Sequence, residues 1–277
     1  MHERAFAAIP INTREVKPRT RGLTEIRGSY YTTIGPRYLE DLFETMGVYI
    51  DGLKFGGGSF ALLPREKLEE IIGLAHRYDI YVSTGGWIEY VLRRGPDAVD
   101  AYVEEASQLA FDIVEISTGF ISLPQDDLLR LVQKVRQAGM RAKPELGIQF
   151  GAGGGVTSAR ELAAEGVRDA QWVLDRGRAC LDAGAQIIMI ESEGLTENVE
   201  SWRTDVVAKI IEGLGVERVM FEAADPPVFE WYIKNYGIDV NLFIDHSQIV
   251  QLECLRTGIW GGKSSWGRVA SYKPASA

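Results

Sequence analysis

Several short apolar runs in this chain stop abruptly at a charged residue. Lys54 closes IDGLK, Glu115 closes DIVE, Glu145 closes AKPE, Glu191 closes IIMIE and Glu222 closes RVMFE, while DVNLFID carries Asn241 and Asp245. Carboxylates gathered without partners repel one another. A hard divalent cation relieves that repulsion, and magnesium typically takes one or two carboxylates together with water and substrate phosphate. Glu115, Glu145, Glu191 and Glu222 are therefore candidate magnesium ligands. The alternative is that each pairs with a neighbouring Arg or Lys.

Lys54 at a buried strand end is costly unless it is paired or holds an anion. The glycines that follow it, and those of STGGW, let backbone N–H groups approach an oxyanion closely. Lys54, Gly57, Ser59, Gly85 and Gly86 are thus candidate substrate-binding residues. Lys143 and Glu145 lie two apart, so a strand puts both on one face. Inward placement makes them, with Lys54, a candidate catalytic group, either a general base or an anion clamp; a structural ion pair is the other reading. Asn241 can donate to a substrate oxygen, and His246 stands beside it at the eighth strand. The other histidines are His2 and His76, in an arm and a surface-type helix, which leaves no His-rich transition-metal site. No nucleophile elbow, Walker motif or dinucleotide fingerprint occurs.

The elements that position these residues alternate. Counting TEIR and IYVST, there are eight β-branched runs, each followed by a helical pattern. Alternating buried strands and helices predict a parallel sheet, and eight units predict one (β/α)8 TIM barrel. In that fold the chemistry sits where the strands end. The pattern divides the chain into an N-terminal arm over 1–20, the barrel over 21–267 and a C-terminal tail over 268–277. The stretch GIQFGAGGGVTSARELAAEG after the fifth strand reads as a mobile active-site loop followed by one long helix to about Asp182. Ser247 reads as the cap of the last helix.

With 277 residues, 45% of them hydrophobic and 25% charged, the chain has the composition of a soluble globular protein. A formal charge of -9 disfavours nucleic acid and anionic membranes as partners. No segment reads as a membrane span or signal peptide, and Cys180 and Cys254 read as free thiols, so a cytoplasmic location is expected.

The ordered series YIDGLKFGGGS, YVSTGGWIEY, FDIVEISTG, AKPELG, MFEAADPP and VNLFIDHSQIVQLECLRTG resembles the phosphosulfolactate synthases and the plant heat-stress-associated proteins related to them. KFGGGS, VSTGGW and VNLFIDHSQ look closer to the plant branch. The resemblance runs from about Arg19 to Gly267. It implies a (β/α)8 barrel and magnesium-dependent addition of sulfite to phosphoenolpyruvate, with a small anionic substrate and a homo-oligomeric state. The chain departs from the synthases in three places. Ile148 and Gln149 stand where the archaeal enzymes carry lysines, with Lys143 as a possible substitute. Arg27 stands in a strand-1 region that is acidic in the synthases. GIWGGKSS replaces an Arg-rich ending, leaving Lys263 as a candidate anion ligand there. Three readings follow: a synthase-like lyase, a divergent enzyme on another small anionic acid, and a non-catalytic heat-stress-associated protein.

Overall fold

The computed structural model describes residues 4–153 and 158–272. Eight parallel strands close in sequence order into a barrel: β1 Thr24–Arg27, β2 Gly52–Lys54, β3 Tyr81–Ser83, β4 Ile113–Ser117, β5 Arg141–Leu146, β6 Ile188–Ile190, β7 Val219–Glu222 and β8 Asn241–Asp245. Between and after them lie α1 Pro36–Met46, α2 Arg65–Arg77, α3 Ile88–Leu92, α4 Pro96–Gln108, α5 Gln125–Gln137, α6 Ala159–Glu165, α7 Ala170–Asp182, α8 Thr204–Leu214, α9 Pro226–Tyr236 and α10 Ile249–Thr257. The expected TIM barrel is the observed fold.

Two residue sets build it. Residues such as Ile26, Leu53, Val82, Val114, Leu242 and Ile244 point outward and bury themselves against the helices. Their alternates point into the barrel, where Glu25 pairs in register with Gly52 and Phe243, Gly52 with Tyr81, and Glu115 with Lys143. A barrel interior is normally layered with branched apolar side chains. Here Met189, Met220 and Phe243 supply only one apolar wall. Gly52 is required by its neighbour: a Cβ there would stand 2.1 Å from the Tyr81 ring.

Three details correct the sequence reading. The long helix after β5 is two. α6 ends at Gly166, whose φ of 86° suits glycine, and α7 starts under Asp169, which accepts from Gln171 N–H. Ser158 opens α6 with a capping box to Glu161, a signal visible in the sequence as SARE. Ser247 does not cap the last helix, whose N-cap Gln248 makes no capping bond; Asp245 caps the short turn His246–Gln248 before it, accepting from the Ser247 N–H.

The polar arm packs against the strand-start end of the barrel. Arg14 pairs with Glu253, and Arg19 with Asp51, which accepts from Thr24 N–H at 2.8 Å. No described helix is long and apolar enough to cross a membrane.

Candidate active site

The inner faces of β1, β2, β4, β5 and β7 carry a ladder of charge that climbs to the strand-end mouth. At its base Lys143 pairs with Glu25 and reaches Glu115 Oε2 at 3.1 Å. Above them Lys54 Nζ lies 2.9 Å from Glu115 Oε1, 3.1 Å from Glu222 Oε1 and 3.5 Å from Glu145 Oε1. Phe243 lies under the ammonium, with its ring centre 4.2 Å away. Burial disfavours the Lys54 charge, but Glu115, Glu222 and Glu145 outweigh it and hold its pKa well above the usual lysine value.

At the top, oxygens of Glu145, Glu191 and Glu222 lie within 4.8 Å of one another. Burial, then the charge of Glu115, pushes Glu145 up to about 8. Burial and the charges of Glu222 and Glu145 raise Glu191 well above the carboxylate range. Glu222 is drawn the other way: burial would raise it, but Lys54 and a hydrogen bond from Glu191 hold it low. Burial and mutual repulsion thus favour a proton on Glu145 and Glu191, and a metal ion at the triad would oppose it. The charge count agrees. Glu25, Glu115, Glu145, Glu191 and Glu222 face Lys54, Lys143 and Arg27, which leaves two positive charges missing. Three convergent carboxylates, Glu191 buried and Glu145 and Glu222 half-buried, fit a hard divalent cation with that deficit.

The mouth has two spaces. Beside Glu145, Glu191 and Gly147 a crevice of only about 10 Å³ lies under Arg168 and Trp172, room for about one water or ion. Between the ends of β1, β7 and β8 opens a cavity of about 270 Å³ reaching Arg27, Ser192 and Glu222.

The surrounding loops are tied by carboxylates. Glu89 accepts from Ser117 Oγ and Gly119 N–H at 2.6 Å and from Phe120 N–H at 3.0 Å. Glu193 accepts from Gly153 N–H at 2.6 Å, which fastens the start of the glycine-rich connection to the loop after β6. The rest of that connection, 154–157, lies outside the described residues.

Lys54, Glu115, Glu145, Glu191 and Glu222 are thus brought together. Gly86 lies beside them, its Cβ position 3.9 Å from Glu145 Oε2. Gly85 sits against the Phe55 carbonyl, where a Cβ would approach to 2.0 Å, so its role is the close approach of two loops. Gly57 is exposed with open space around it, and Ser59 donates to the Ser29 carbonyl. His246 lies at the end of β8, 2.7 Å from the Tyr38 hydroxyl.

Three expected site residues are elsewhere. Lys143 is fully buried below Glu115, so it holds the ladder and does not line an anion pocket. Asn241 lies at the opposite end of the barrel. Its Oδ1 accepts from Leu23 N–H and its Nδ2 donates to the Val216, Glu217 and Val219 carbonyls. It begins β8, whereas the mouth is where β8 ends. Lys263 is exposed in the segment after α10, beside Ser264, which donates to Glu230 on α9. Sequence reasoning missed Glu25, Glu89 and Glu193. Glu25 alone had a signal, since it alternates with Ile26 in TEIR.

The (2R)-phospho-3-sulfolactate synthase (ComA) family model matches residues 12–262. Protein HEAT-STRESS-ASSOCIATED 32 of Arabidopsis thaliana is 42% identical over 252 residues, 88% of each chain. The phosphosulfolactate synthase of Methanothermobacter thermautotrophicus is 27% identical, covering 90% of this chain and 93% of its own. Among solved structures, 2,3-dimethylmalate lyase, a PEP mutase/isocitrate lyase superfamily member, matches with TM-score 0.50 at 13% identity, over 83% of this chain and 77% of its own. The carboxyl transferase domain of Rhizobium etli pyruvate carboxylase with pyruvate matches with TM-score 0.55 at 13% identity; the match takes in 91% of this chain but only 45% of that one. These two likenesses concern the fold. The match over nearly the whole barrel and the 42% identity to the plant protein decide the affiliation: this chain belongs to the (2R)-phospho-3-sulfolactate synthase (ComA) family.

Proposed function

We propose that this barrel is a phosphosulfolactate synthase-like enzyme, using magnesium to add sulfite or a related nucleophile to C3 of phosphoenolpyruvate. The triad of Glu145, Glu191 and Glu222 around Lys54 carries this reading. Those three carboxylates would hold the ion. When bound, it supplies Lewis-acid stabilisation of the charge that develops as the nucleophile attacks.

The chain's own groups do the rest. Lys54 keeps its proton, because three carboxylates surround it, and so it acts as a fixed positive charge beside the triad. Glu115 spans Lys54 and Lys143 and fixes the height of that charge. Gly86 brings backbone against Glu145 with no side chain in the way. Glu89 and Glu193 hold two of the loops at the mouth in place. Copies of the chain are proposed to associate, since Trp260 and Trp266 each leave more than half their surface exposed, at 57% and 56%; light scattering at micromolar concentration would give a mass above one chain.

One observation favours the divergent-substrate reading. Ile148 is buried in the core, and the Gln149 amide donates to the Phe150, Leu162 and Gly166 carbonyls. Neither position offers the cation that the synthases carry there. Incubation with magnesium and phosphoenolpyruvate, with and without sulfite, tests the two readings. Phosphoenolpyruvate consumed only with sulfite supports the first. Phosphoenolpyruvate bound but left unconsumed supports the second.

A further inference from the structure

The 270 Å³ cavity holds a charge arrangement that the proposed reaction does not use. Arg27 and Asp245 are register partners on neighbouring strands, both facing inward. Strands lie about 4.8 Å apart, so an ion pair is within reach. It is not made. The Arg27 guanidinium is drawn over aromatic rings, 5.1 Å from Tyr30, 5.3 Å from Phe243 and 5.9 Å from Tyr31. Stacking on rings leaves its N–H edge free. Asp245 turns to the Ser247 N–H at 3.0 Å. Among the described residues Arg27 has no ion-pair partner.

The opposite wall is acidic. Glu197 and Asp225, on the loops after β6 and β7, line it away from β1, whereas Asp245 stands beside Arg27. A guanidinium on the β1 side of the cavity is therefore separated from two carboxylates on the β6 and β7 side. A dianion would be held by Arg27 but repelled by that wall. A cation would meet the reverse. A molecule carrying both charges satisfies both sides. The volume is just below the usual range for drug-sized ligands, about 300–1,000 Å³, so the molecule is compact.

We propose that this chamber binds a small zwitterion of amino-acid type, with its carboxylate on Arg27 and its ammonium group on Asp225 and Glu197. This rests on the synthase-like reading only in that the chamber borders Glu222 and so adjoins the carboxylate triad; the zwitterion is a further ligand beside the substrates of that reading.

The test is calorimetric titration of the full chain, with magnesium, using L-serine, lactate and ethanolamine. Lactate lacks the ammonium group and ethanolamine lacks the carboxylate. L-serine is expected to bind at least about tenfold more tightly than either, the scale of one charged hydrogen bond. Arg27→Met should reduce L-serine to the affinity of ethanolamine. Asp225→Asn should reduce it to the affinity of lactate. Magnesium should bind Arg27→Met at least as well as the parent, because a nearby positive charge is gone; a misfolded variant would lose both ligands. Lactate equal to L-serine, L-serine binding unchanged in both variants, or no L-serine binding overturns the proposal. Phosphoenolpyruvate titrated separately keeps the two readings apart. Binding of L-serine without phosphoenolpyruvate sinks the synthase-like reading alone, and the reverse sinks this one alone.

Discussion

Lys143 stands across from Glu115 on paired strands, and its Nζ reaches Glu115 Oε2 at 3.1 Å inside a closed barrel. With Glu25 below it, the pair forms a charged middle layer where barrels usually stack branched apolar residues. Buried ion pairs stabilise little against an apolar replacement, but removing one partner strands the other.

Lys143→Met should therefore destabilise the fold by roughly 3–5 kcal/mol, because Glu25 loses its cation and Glu115 one of two. Adding Glu25→Leu should recover most of that loss. Urea unfolding of the single and double variants measures both; a double variant no more stable than the single would show that the pair does not act as a unit.

Asn241→Ala should cost about 1–3 kcal/mol, since it unpairs a buried N–H and carbonyls at the barrel base. Magnesium affinity should not change. A large fall in magnesium affinity without a fall in stability would return Asn241 to the site.

Magnesium binding should release protons and tighten as pH rises. Glu145 has a folded pKa of about 8, against an ordinary value of 4.5. The folded protein holds that proton where the unfolded chain has lost it, so this group favours folding most below pH 4.5. That contribution is lost as pH rises toward 8. Magnesium replaces the proton. The rise in melting temperature that magnesium gives should thus be larger at pH 8.5 than at pH 6.5. Equal shifts at both would show that the triad does not hold the ion.

Lys54→Met keeps the apolar stem and removes the charge. Phosphoenolpyruvate binding should weaken by about tenfold or more, while magnesium binding holds or improves. Unchanged phosphoenolpyruvate binding would remove Lys54 from the substrate site.

The sequence made the barrel and its mouth legible because period-two burial leaves a polar residue at or beside each strand end, where the apolar core stops. Glu115, Glu145, Glu191 and Glu222 followed from that rule. Depth was not legible. Lys143 and Glu145 share a strand face, yet one residue pair up the strand separates a sealed ion pair from a triad ligand. Asn241 misled because β8 begins at a polar residue as well as ending at one. Glu25 had only the weak signal of its alternation with Ile26 in TEIR, where two charged inward residues flank one isoleucine. Glu89 and Glu193 act through backbone N–H groups of distant loops, contacts that no local pattern announces.

The carboxylate triad and Lys54 are proposed to perform magnesium-dependent addition to phosphoenolpyruvate. Phosphorus NMR of the purified protein with magnesium, phosphoenolpyruvate and sulfite tests it most directly. The predicted result is loss of the phosphoenolpyruvate signal and growth of a new phosphate-ester signal, abolished by chelation and by Glu222→Gln. An unchanged phosphoenolpyruvate spectrum, with the folded protein and magnesium present, would contradict it.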